Sequence, residues 1–287
     1  MKKAILAISL VSVLMFAIVF YFAPAFRGDI AIDSGFSIGT VSIHYYGLLL
    51  ALAILAAFMV SAKLAPRFGV NPQHIESALP WLIFFGFLGA RMYFVIFTWD
   101  HFFSRLGDIL QIWKGGFSIY GGIIGAAIGM YIYLRRNNLP KGKFFDLAAV
   151  SLPLAQAIGR FGNFFNQEAF GYPTDLPWKL YISPAHRPKD YLTEKFYHPT
   201  FLYEALWNIA VFAIMLLLFR KRLPSMSGTG QLLGYYLVFY SIGRFLIESL
   251  RLDSFIINGA RADQVIALLM CAIGLGIIYY AREKTTS

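Results

Sequence analysis

The chain carries eight apolar stretches approaching twenty residues, at roughly 4–23, 43–62, 77–98, 117–134, 144–165, 201–219, 230–250 and 262–281. About twenty residues of helix span the hydrocarbon core of a bilayer. Inside lipid every backbone amide must find a partner within the protein, and stretches of this length do so as helices. The pattern predicts an all-α membrane protein, a polytopic bundle of seven core transmembrane helices with an extra N-terminal apolar helix. Composition agrees: 58% of residues are hydrophobic and 14% charged, outside the range of soluble domains. Residues 26–287 read as a single transmembrane domain, and the polar stretch 167–200 as a small extracytoplasmic segment. Residues 1–25 stand apart, because Met1-Lys2-Lys3, an apolar run and Ala23-Pro24-Ala25 also resemble a signal peptide. The run exceeds the usual 7–15 residues of a signal core, which favours a retained helix.

The net charge of +10 does not point to nucleic acid, since Lys and Arg sit at the ends of apolar segments rather than on one face. They read as topology signals. Lys2 and Lys3, Lys63 and Arg67, Arg135 to Lys143, Arg220 to Arg222, and Arg282 with Lys284 alternate with short outer loops holding only Arg27, Arg105, Lys114, Arg251 and Arg261, while the Lys and Arg of the long outer segment 167–200 roughly balance its acids. Both termini are therefore expected inside. The single cysteine, Cys271, lies in an apolar run and builds neither a disulfide nor a thiolate metal site within one chain.

Ionisable groups within lipid are costly and are functional candidates by default. With this topology Arg91, Arg160, Arg244 and Glu248 fall near the outer ends of their segments. His198, Tyr203 and Glu204, then His44, Tyr45 and Tyr46, then Tyr120, enter their segments from the same side. The inner halves are expected to lack acidic or basic side chains. For a single arginine near a helix end, snorkelling to the interface is an ordinary explanation. Segments running in opposite directions nevertheless bring their polar groups to one depth, which argues for a shared site.

Within Ala-Ile-Gly-Arg-Phe-Gly-Asn-Phe-Phe-Asn-Gln-Glu, Arg160, Asn163, Asn166 and Glu168 interrupt an apolar stretch, and positions 159, 163 and 166 share a helix face. A forked guanidinium and amide donors suit an anionic polar head; helix packing through Gly and Asn is the plainer alternative. Arg244 and Glu248 are spaced i, i+4 and can pair, with Arg251 one turn further on. Gly115, Gly116, Gly121, Gly122 and Gly125 surround Tyr120 and permit close packing or exposed amides.

Taken in order, Tyr46-Gly47, Gly89-Ala90-Arg91, Tyr120-Gly121-Gly122-Ile123-Ile124-Gly125, the Gly159-to-Glu168 stretch, His198-Pro199-Thr200-Phe201-Leu202-Tyr203-Glu204 and Gly243-Arg244 to Arg251 resemble the prolipoprotein diacylglyceryl transferase family, from roughly residue 35 to the C terminus. The resemblance implies transfer of a diacylglyceryl group from phosphatidylglycerol to the lipobox cysteine thiol of a prolipoprotein, releasing glycerol 1-phosphate. It implies a multi-pass enzyme of the bacterial inner membrane, acting at the outer leaflet with no metal or organic cofactor. Arg160 and Arg244 match the family's essential arginines, and Tyr46, Asn163, Glu168 and Glu248 match its other important polar positions. The expected catalytic residues are thus Arg160, Arg244, Tyr120 and Glu248. The expected substrate-binding residues are Tyr46, Arg91, Gly121, Gly122, Asn163, Asn166, Glu168, His198, Tyr203 and Glu204.

One departure stands out. Many members of that family have His directly before the paired glycines, where this chain has Tyr120. A phenol, with an ordinary pKa near 10, is a poor base at neutral pH. Tyr120 is therefore expected to donate a hydrogen bond to the lipid head, leaving the base for the thiol unassigned. The rival reading is a transporter or flippase for an anionic lipid, which calls for charges near the midplane and a route to both faces.

Overall fold

The computed structural model describes residues 18–39, 41–103, 105–226 and 228–286. Seven long helices lie among them: α1 (Tyr45–Leu64), α2 (Pro72–Phe97), α3 (Ile119–Arg136), α4 (Lys141–Asn166), α5 (Thr200–Met226), α6 (Gln231–Glu248) and α7 (Ala262–Thr286). Each begins within five residues of the start expected from the apolar pattern. Among the described residues four helical spans, Tyr45–Phe68, Pro72–Phe97, Thr200–Arg220 and Ala262–Glu283, are long and apolar enough to cross a membrane by length and composition. The chain is a mostly helical membrane protein. In α3, α4 and α6, glycine, tyrosine and charged residues dilute the apolar character.

Residues 1–17, which hold most of the expected N-terminal helix, lie outside the described residues. The next stretch is helical, Ile18–Phe22 and Ala23–Arg27, closed by Gly28 at φ 79°. Its Tyr21, Phe22 and Phe26 rings pack against Phe161, Phe164, Phe165 and Phe201, where α4 ends and α5 begins. Three short antiparallel pairs add strand to the all-α expectation: Gly35–Ile38 with Val41–His44, Leu180–Tyr181 with Phe196–Tyr197, and Ile256–Ile257 with Ala260–Arg261.

α4 is central, packing against α1, α5 and α6. Phe144, Leu147 and Val150 from α4, Val211, Met215 and Phe219 from α5, and Leu232 and Tyr236 from α6 share one buried core. The expectation that inner halves lack ionisable side chains does not hold. Asp146, fully buried near the start of α4, accepts hydrogen bonds from the amides of Gly228 and Gly230 at 2.9 and 3.0 Å and of Leu233 at 3.0 Å. The first amides of a helix lack internal partners, and here a carboxylate from a neighbouring helix caps α6. Its partners are backbone groups more than eighty residues away, so no local motif announces it.

α2 and α3 meet along a seam of small residues. A Cβ on Gly89 would lie 2.9 Å from the Gly125 Cα and also strike the Gly121 carbonyl, while one on Gly86 would lie 3.5 Å from the Ala126 Cβ. Gly121, expected in substrate binding, packs against the Gly89 backbone and the Tyr93 side chain. Backbones approach this closely only where side chains are absent, and the seam sets where Tyr120 stands at the start of α3. Gly89→Val should therefore push the helices apart and destabilise the protein by about 1–3 kcal/mol. Gly122→Ala, whose Cβ would have its nearest neighbours at 3.7 Å, should leave the thermal midpoint in detergent close to the parent value.

Candidate active site

Glu204 lies in the second turn of α5, after the His198-Pro199-Thr200 corner, where the Thr200 hydroxyl donates to the Ala169 carbonyl at 2.5 Å. Its carboxylate is 3% exposed and gathers three arginines from separate parts of the chain. Arg160 of α4 approaches Oε2 with Nη2 at 2.6 Å, Arg244 of α6 approaches Oε1 at 2.9 Å, and Arg251, just past α6, approaches Oε1 at 3.3 Å. The guanidinium of Arg244 extends the network, with Nη2 at 2.9 Å from Glu248 Oε2 and 2.7 Å from Asp263 Oδ2. The i, i+4 pairing of Arg244 with Glu248 expected from spacing is present. Asp263, in the first turn of α7, accepts a hydrogen bond on Oδ1 from the Tyr120 hydroxyl at 2.7 Å. A chain of charge-assisted contacts thus runs from α4 through α5 and α6 to α7 and α3.

Arg160 is the most open of the three arginines, at 22% side-chain exposure against 10% for Arg244 and 11% for Arg251. Only its Nη2 is engaged by a protein carboxylate among the described residues, so the guanidinium retains donors for an anion. Arg251 is held by Asp253 through Nε at 2.9 Å and Nη2 at 2.7 Å. Burial draws its pKa down, but Asp253 and Glu204 more than offset this and hold it above the ordinary value. Arg261 ties down the turn after α6, donating to the Glu248 carbonyl, the Arg251 carbonyl at 2.7 Å and the Ser254 hydroxyl at 2.8 Å.

A second cluster closes α4. Gln167 takes the left-handed conformation at φ 48°, and Glu168 folds back so that Oε1 accepts from Asn163 Nδ2 at 2.9 Å and Asn166 Nδ2 at 3.2 Å. The Tyr46 ring of α1 packs against Gly162, where any side chain would collide with it. A third cluster joins His198 Nδ1 to the Tyr203 hydroxyl at 3.2 Å, which also accepts from Trp178 Nε1 at 2.7 Å. Burial pulls the His198 pKa below its ordinary value.

Arg91 stands apart from these groups. It is buried, and its three nitrogens donate to the carbonyls of Asp108, Ile109, Gly115 and Gly116 at 2.6–3.0 Å, with Phe102 and Phe117 over the guanidinium. It organises residues 108–116, which lead towards α3. Tyr120 also differs from expectation: its proton is given to Asp263 rather than left for a lipid head.

The family model for prolipoprotein diacylglyceryl transferase matches residues 34–280. The chain belongs to this family. It is 44% identical to the phosphatidylglycerol–prolipoprotein diacylglyceryl transferase of Thermosynechococcus vestitus over 83% of this chain and 88% of the relative. It is 39% identical to the enzyme of the same name from Fervidobacterium nodosum, over 99% of this chain and 97% of that one. The transferase motifs in the chain carry Arg160, Glu204, Arg244, Glu248 and Arg251 into one network. Sequence reasoning passed over Asp263 and the structural part played by Arg261. Asp263 reads locally as an acid in the first turn of a helix, where it suits the dipole, and Arg261 as a loop charge.

The dependence on Glu204 can be measured. Glu204→Gln removes the buried charge that three guanidiniums share and should cost about 3–5 kcal/mol, seen as a lower midpoint of thermal unfolding in detergent. Asp253→Asn, at a site 48% exposed, should cost no more than about 1 kcal/mol.

Proposed function

We propose that this chain transfers a diacylglyceryl group from phosphatidylglycerol to the thiol of the lipobox cysteine of prolipoproteins, the first step of bacterial lipoprotein maturation. Family membership supports the reaction class. The observation that carries the proposal is the convergence of Arg160, Arg244 and Arg251 on one buried carboxylate, with Arg160 keeping donors available. In the reaction the thiolate forms a carbon–sulfur bond with the terminal glyceryl carbon. The carbon–oxygen bond to phosphate breaks, its electron pair passes to the phosphate, and glycerol 1-phosphate leaves.

Negative charge therefore builds on the leaving group, and donors already aimed at it stabilise the transition state more than the ground state. Arg160 and Arg244 are assigned that role, with Glu204 and Glu248 holding their guanidiniums in place. Asn163, Asn166, Glu168 and Tyr46 are assigned to the polar head of the donor, and His198 and Tyr203 to the edge of the site facing residues 167–200. Arg91 contributes indirectly by shaping the connection that leads into α3. In this reading residues 26–287 form one catalytic domain whose seven long helices all cross the bacterial inner membrane. An extra N-terminal helix precedes them, both termini are cytoplasmic, and the site faces the outer leaflet. The buried Asp146 does not support a transport path, because its oxygens are engaged by the amides that begin α6.

Purified protein supplied with phosphatidylglycerol and a lipobox peptide should yield the thioether-linked diacylglyceryl peptide, identified by mass spectrometry. Arg160→Ala and Arg244→Ala should each lower kcat by about 10²–10³-fold, the loss typical of one aligned electrostatic donor. Full activity in both variants would sink the proposed site.

A further inference from the structure

The transferase reading leaves the thiol without a base. Among the described residues the carboxylates nearest the arginines are poorly placed for that task. Glu204 is 3% exposed and shared by three guanidiniums, and the Glu248 side chain is 1% exposed behind Arg244. Glu168 Oε1 is occupied by Asn163 and Asn166, and His198 Nδ1 by the Tyr203 hydroxyl. Tyr120 and Asp263 differ from all of these. Tyr120 is 45% exposed, while the Asp263 side chain behind it is 19% exposed. The phenolic proton points inward onto Asp263 Oδ1 at 2.7 Å, so the oxygen offers outward only its acceptor lone pairs.

We infer that Asp263 is the proton acceptor for the substrate thiol, reached through the Tyr120 hydroxyl. This rests on the transferase reading above. As the thiol proton arrives on the Tyr120 oxygen, the phenolic proton passes to Asp263 Oδ1. Tyr120 is neutral before and after, so the high ordinary pKa of a phenol is no obstacle; it carries the proton without holding a negative charge. The sulfur electron pair then forms the bond to the glyceryl carbon as the carbon–oxygen bond to phosphate breaks. Asp263 afterwards returns its proton to the departing phosphate or to water.

Arg244 couples the two ends of this step. Its Nη2 is shared between Asp263 and Glu248, at 2.7 and 2.9 Å. Charge appearing on the phosphate competes for the same guanidinium, and whatever Arg244 gives to the phosphate it withdraws from Asp263. A carboxylate losing its cation becomes a stronger base, so proton uptake at Asp263 and charge release at the phosphate favour each other. The groups facing Asp263 are Tyr120 from α3 and Arg244 from α6, with Arg251 beyond.

The test is a double-mutant cycle on the purified enzyme, with phosphatidylglycerol, a lipobox peptide and kcat and KM measured across pH. Asp263→Asn should lower kcat about 10²-fold or more while KM for phosphatidylglycerol changes less than about threefold. Asp263→Glu should recover part of the rate. Tyr120→Phe should be as slow as Asp263→Asn. In the Tyr120→His background the imidazole takes the thiol proton itself, and adding Asp263→Asn should then cost less than about tenfold. An equal loss from Asp263→Asn in both backgrounds would make Asp263 a brace for Arg244 and overturn the relay. So would full activity in Asp263→Asn. Absence of product from the parent protein would instead remove the transferase reading, and the relay with it.

Discussion

A carboxylate buried to 3% exposure survives in an apolar bundle only because cations surround it, and Glu204 has three. Stripping water from an ion costs several kcal/mol, which attraction in a low-dielectric setting repays only when the geometry is good. That requirement works in both directions. Arg160, Arg244 and Arg251 are tolerable at their depth because of Glu204, and their positions are dictated by it. Since they come from α4, α6 and the turn after α6, the arrangement of those elements around α5 is bound up with the electrostatics of the site. The same pairing leaves the arginines charged and oriented before any substrate arrives, which spares reorganisation during reaction.

Around this centre the remaining parts act as supports. Asn208, one turn beyond Glu204, donates to the Glu204 carbonyl at 2.8 Å. The Trp207 indole lies against Gly243, where no side chain could fit, and donates to the Phe239 carbonyl at 2.9 Å. Arg261 fixes the turn that carries Arg251, and backbone bonds from the Tyr172 amide to the Leu250 carbonyl and from the Leu252 amide to the Phe170 carbonyl fasten the 167–200 segment to it. A segment that composition marks only as polar is thereby made part of the site wall.

The helical architecture was legible because lipid demands one length and one kind of side chain, and both are written locally. Part of the site was legible for a similar reason. Arg244 and Glu248 declare their pairing by spacing on one helix, and the crowding of Arg160, Asn163, Asn166 and Glu168 in an apolar stretch is hard to miss. What lay beyond reach were contacts with no local period. Glu204 meets Arg244 forty residues on, and Tyr120 meets Asp263 at a separation of 143. Glycines were ambiguous in another way: Gly121 beside Tyr120 looks like a binding loop in sequence, yet the residue is needed where α2 presses on α3. Arg91 shared that ambiguity, since a buried guanidinium can serve carbonyl oxygens as well as phosphates.

The cap that Asp146 places on α6 has a geometric consequence when set beside the Glu204 network. α4 is fastened to α6 near its first turn directly, and near its last turns through Arg160, Glu204 and Arg244. The two fastenings lie about 20 Å apart along the helix. One residue inserted in either helix between them would advance everything beyond it by about 1.5 Å and turn it by about 100°. No single adjustment could then satisfy both ends. The pair behaves as a doubly pinned beam, and the number of residues between its pins is a fixed dimension of the enzyme even where their identities are free to drift.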